Sequence, residues 1–74
     1  MLPSKTDPRW KLLVSGKTKH KFSSFSGSML IDRLSRSLVN DSSPASISKC
    51  INEAYTFFQK YETLFVNDLK TIFH

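Results

Sequence analysis

Residues 43–74 read SPASISKCINEAYTFFQKYETLFVNDLKTIFH, and the reading of this stretch decides the fold. Ser43 suits an N-cap, because its hydroxyl can accept a bond from a first-turn N–H. Pro44 suits the first helical position, where an N–H would have no partner in any case. From there Ile47, Ile51, Ala54, Phe58, Tyr61 and Phe65 recur at spacings of 4, 3, 4, 3 and 4, and Leu69 and Ile72 continue the series. That period places them on one side of a helix. Cys50, Phe57, Leu64 and Phe73 widen the stripe, and neither glycine nor proline interrupts residues 45–74. The pattern predicts one amphipathic helix over 44–72, about 42 Å long at the ordinary rise per residue. A break near Tyr61–Thr63, with the tail folding back, is the alternative.

Two shorter helices are predicted before it. Asp7-Pro8 repeats the cap-and-proline opening, Trp10, Leu13 and Val14 share a face, and Gly16 suits a left-handed helix end. This gives a helix near 8–15, with Trp10 as a core anchor. A second helix is predicted near 28–40, capped by Ser28, with Leu30, Ile31, Leu34 and Leu38 on one face and Arg33 and Arg36 on the other. An earlier start, near Phe22, would add Phe22, Phe25 and Met29 to the arginine side. Asn40-Asp41-Ser42-Ser43 is a turn. Residues 17–27 read as a basic, serine-rich loop, and residues 1–6 as a flexible N-terminus. The expectation is an all-α, three-helix domain spanning 1–74.

A chain of 74 residues has only a thin core, and no apolar run reaches the roughly 18–20 residues that cross a bilayer. One cysteine excludes an internal disulfide and a cysteine-based zinc site. A small domain without disulfides, and without a recognisable leader in its first residues, is expected to be cytoplasmic.

The chemistry-bearing residues do not assemble into a reaction. His20 and His74 lack a neighbouring carboxylate in sequence and do not make a metal ligand set. Cys50 lies inside the apolar stripe, as a small buried hydrophobe does. Gly16-Lys17-Thr18 resembles the end of a phosphate-binding loop, but the required earlier glycine is Lys11. The six acidic residues are scattered. No catalytic residue, metal or cofactor is expected, and the protein is read as non-enzymatic.

Charge points to binding. The net charge is +5, and all of it lies in residues 1–42, where eight cations face three carboxylates. Arg9, Lys11, Lys17, Lys19, Lys21, Arg33 and Arg36 are the candidate contacts for an anion, a nucleic acid or an acidic protein. Phe22 and Phe25 follow the lysines and would stack on bases if exposed. A basic segment over 17–25, a helix, a polar turn and a helix opening Ser43-Pro44 are together similar, over about half the chain, to ribbon-helix-helix repressors. That resemblance implies a dimer whose paired strands enter the DNA major groove. It departs from the pattern in the extra first helix, in the serine-glycine gap and in the weak alternation within the basic segment.

A protein–protein interaction module, such as an adaptor, inhibitor or assembly factor, ranks first because it needs fewer assumptions. Two short helices cannot cover a 42 Å stripe, so Phe58, Tyr61, Phe65, Leu69 and Ile72 are expected to face a second copy or another protein. A dimeric nucleic-acid-binding regulator using residues 17–25 is the alternative.

Overall fold

The computed structural model describes residues 2–74, and its chain is helical with no strand among them. Four helices follow in order: α1 (Pro8–Val14), α2 (Phe25–Asn40), α3 (Pro44–Lys60) and α4 (Val66–Ile72), with a 3-10 turn at Glu62–Phe65 between the last two. The expected flexible stretch 1–6 begins with Met1, which lies outside the described residues. Leu2 packs on the core, and the Pro3 carbonyl accepts a bond from the Trp10 indole at 3.4 Å.

The local signals place the helix starts. The Asp7 carboxylate accepts from the Arg9 N–H at 2.9 Å, and the Ser43 hydroxyl accepts from the Ser46 N–H at 3.3 Å. Gly16, at φ +73°, ends α1 in the left-handed conformation that glycine adopts without strain. The second helix starts at Ser24, whose hydroxyl accepts from the Gly27 N–H, and not at Ser28. Its extra turn carries Phe25.

The single C-terminal helix is not formed. The chain leaves helical geometry at Tyr61 (φ −112°, ψ 30°), and α4 folds back. No breaker residue causes this; packing does. A straight continuation would leave Phe65, Leu69 and Phe73 in water, whereas the turn buries all three. Each such side chain contributes about 1.5–3 kcal/mol on burial. That outweighs a few backbone hydrogen bonds of about 1 kcal/mol each. The longest dimension of the fold is 31 Å, shorter than the unbroken helix would be.

The core is aromatic. Trp10 is fully buried, and Phe73 returns from the end of α4 to meet it at 4.8 Å between ring centroids. Phe58 and Phe65 meet edge to face at 5.0 Å. Gly27 lets α2 approach this cluster: a Cβ there would lie 2.8 Å from ring atoms of both Phe22 and Phe65.

Two expectations are corrected here. Phe58, Phe65 and Leu69 are core residues, while Tyr61 and Ile72 are half-buried against that core. They form no outward stripe, so the uncovered length that called for a partner on the C-terminal helix does not exist. The basic segment before α2 is not a strand, which removes the structural ground for the ribbon-helix-helix likeness.

Candidate functional site

Residues 15–24 connect α1 to α2, and the side chains of 17–22 alternate. Lys17, Lys19 and Lys21 are exposed, while Thr18, His20 and Phe22 are half-buried beneath them. Two anchors hold that alternation. Phe22 stacks on Phe58 with ring centroids 5.6 Å apart and planes 7° from parallel. His20 Nε2 lies 2.8 Å from Asp68 Oδ1, a contact across 48 positions of sequence. Ser23 completes the second anchor. Its N–H donates to Asp68 Oδ1 at 3.1 Å and its hydroxyl donates to Oδ2 at 2.8 Å.

Asp68 is the hub of this tether and is itself buried. Burial alone would raise its pKa. The bonds from His20 and Ser23 outweigh burial and hold the carboxyl below its ordinary value. His20, Ser23 and Asp68 are the residue types of a hydrolytic triad, but the arrangement differs. The carboxylate sits between histidine and serine, so no imidazole faces the hydroxyl. Its role is to fasten the basic segment to α4.

The seven basic candidates separate into two groups. Arg9 pairs with Asp7 at 2.6 Å and lies over the Phe73 ring; that hydrogen-bonded guanidinium holds the Asp7 carboxyl down at about 2. Arg36 pairs with Asp32 at 2.8 Å, and Arg33 pairs with Glu53 across the α2–α3 interface. All three arginines of the chain are thus engaged within the molecule. Lys11, Lys17, Lys19 and Lys21 have no ion-pair partner among the described residues. Lys11 and Lys17 flank one shallow groove over Leu38 and Ile47, and Lys5 and Lys11 flank the next, over Ile47 and Ile51. The free positive charge of this half of the molecule is therefore carried by lysines, and they lie along one connected region.

A second surface lies between α2 and α3. Met29 and Leu30 on α2 and Phe57 on α3 line an apolar groove edged by Arg33, Arg36 and Glu53. Past Phe57 it continues to Tyr61 and Lys60. Phe25 lies one helical turn before Met29 and is 79% exposed; Met29 is 55% exposed.

Several residues fall outside both surfaces. Cys50 is buried, and burial pushes its thiol pKa up, which suits a packed side chain and not a nucleophile. Among the described residues no group of three potential ligands could hold a metal, and no helix is long and apolar enough to cross a membrane. Phe22 is withdrawn into the core cluster and cannot stack on a base. The Asp68 anchor escaped the sequence reading because its partners lie more than forty residues away. The alternation of Lys17 to Phe22 is weak in the sequence, where the serines after it suggest a loop.

No family model matches this chain, and no curated protein and no solved structure matches it.

Proposed function

We propose that this protein is a small, non-enzymatic module that binds a phosphate-rich polymer, a nucleic acid, through its lysine row. The observation that carries the reading is the outward file of Lys17, Lys19 and Lys21 on a segment pinned from beneath by His20 and Phe22. The file spans at most about 14 Å of extended chain. Phosphates of one duplex strand succeed each other every 3.4 Å or so along the axis, so three unpaired ammonium groups can face a short run of them. Lys11 and Lys5 extend the file toward α3. Phe22 is stacked on Phe58 and Lys5 lies over the Tyr55 ring, so neither ring is offered to a base, and contact is to the backbone and independent of base sequence. The lack of an apolar side chain in the row argues against insertion into a lipid surface. The unpaired, buried Cys50 suits a reducing, cytoplasmic setting.

Titration of labelled duplex of random sequence tests the reading. Replacing Lys17, Lys19 and Lys21 together by Ala should weaken binding sharply, while replacing Lys49, Lys60 and Lys70 together should leave most of it. Both triple variants remove the same charge, so equal losses would contradict a located site.

A second reading, a protein–protein interaction module, is supported by exposed Phe25 and Met29 beside the α2–α3 groove. A photo-crosslinker at Met29, with Val39 as the control position, tests it. Protein adducts formed only from position 29 and lost in Phe25→Ser support it; equal adducts from both positions oppose it.

A further inference from the structure

The geometry points to a second copy of this chain as the occupant of the α2–α3 groove, paired about a two-fold axis with Phe25 of each copy seated in the groove of the other. This inference rests on the protein-contact reading and requires no nucleic acid.

Two observations favour a second copy over an unrelated partner. The first is charge. The chain carries +5, so two copies approach easily only at a face where the local charge is balanced. The α2–α3 groove is such a face. It is edged by Arg33 and Arg36 against Asp32 and Glu53, and no lysine lines it before Lys60 at the Tyr61 end. The unpaired lysines of residues 5–21 lie elsewhere. A strongly acidic partner would instead be drawn to them.

The second is self-complementarity. A two-fold interface presents the same patch twice, so it must carry both members of each contact. This patch does. It holds a protruding apolar group, Phe25, and an apolar recess floored by Leu30 and Phe57. It also holds two cations and two carboxylates, already paired within each copy as Arg33–Glu53 and Arg36–Asp32. Those pairs are more than 40% exposed on every side chain, so they can exchange partners between copies without desolvating an unpaired charge.

The face must also be large enough. A stable interface takes about 800 Å² from each partner. The chain exposes 5087 Å² in total, so the face must supply roughly one-sixth of its surface. The groove runs from Met29 past Phe57 to Tyr61 and draws on both α2 and α3, the two longest helices of the fold. Truncating a buried anchor at such a centre commonly costs thirty-fold or more in affinity.

Sedimentation equilibrium of the purified chain without nucleic acid, from about 5 to 200 µM, is the test. The expected result is a mass approaching twice 8.5 kDa at the upper end. Phe25→Ser with Met29→Ser should raise the dimer Kd by about thirty-fold or more, with the helical circular dichroism unchanged. Val39→Ser, which removes another exposed apolar side chain of α2, should leave the Kd unaltered. A monomer throughout overturns the inference, and the crosslinking at Met29 then decides the broader reading alone. A dimer that survives the double substitution, or one that Val39→Ser weakens equally, also overturns it.

Discussion

Asp68 and Gly27 show how single residues hold the candidate surface and the core beneath it. The Asp68 carboxylate fastens the lysine segment through three hydrogen bonds, and bonds to a charged group contribute about 1.5–3 kcal/mol each when buried. Asp68→Asn should therefore lower stability by about 2 kcal/mol near neutral pH. The pH dependence follows from its lowered pKa. In the unfolded chain the carboxyl takes up a proton first, so the tether stabilises above the ordinary carboxylate range and loses that contribution as pH falls through the lowered value. Melts across the acid range should show the gap between wild type and Asp68→Asn closing as pH drops. A gap that stays constant would deny the carboxylate this role. At Gly27 two effects compete. Alanine is favoured over glycine inside a helix by about 1 kcal/mol. The added Cβ would press on Phe22 and Phe65, and overpacking costs about 1–3 kcal/mol. Because both rings are held in the core cluster, Gly27→Ala should lower the melting temperature.

At the level of the helices, the break after α3 carries the argument. Because α4 returns over the core, Phe65→Ala should cost about 3–5 kcal/mol in unfolding free energy, as a large truncation in a core does. That loss should not depend on protein concentration. A loss that disappeared on dilution would instead put Phe65 in an interface, as an unbroken helix would. The elements differ in how far they could be read from sequence. Asp7-Pro8, Gly16 and Ser43-Pro44 act on their own turns, so their meaning is local and the helix ends followed from them. Tyr61 carries no such signal. The 4–3 spacing from Ile47 to Ile72 fits one long stripe as well as two shorter ones. The gain from burying Phe65, Leu69 and Phe73, the last against Trp10, chooses between them. Ser24 and Ser28 are equally good caps, and the choice of Ser24 depends on Gly27 fitting between Phe22 and Phe65. The candidate site divides in the same way. Lys17, Lys19 and Lys21 were legible as a basic cluster, whereas their shared outward direction depends on His20 meeting Asp68 and Phe22 meeting Phe58. Arg9, Arg33 and Arg36 belonged to the same cluster by composition, but each is held by a carboxylate; Glu53 in particular comes from a different helix.

The whole molecule places its row of lysines and the exposed Phe25 and Met29 on different surfaces. Arginines are neutralised in place, lysines remain free along the segment before α2, and Phe25 and Met29 lie beside the balanced α2–α3 groove. The lysine segment is proposed as a preorganised seat for phosphates. The dependence of duplex affinity on salt tests it most directly, because each phosphate neutralised adds about 0.9 to the slope of log K against log salt. Three to five lysines predict a slope of about −3 to −4.5, reduced by nearly three when Lys17, Lys19 and Lys21 become Ala. No detectable binding at low salt, or a slope that the triple substitution leaves unchanged, would contradict the account.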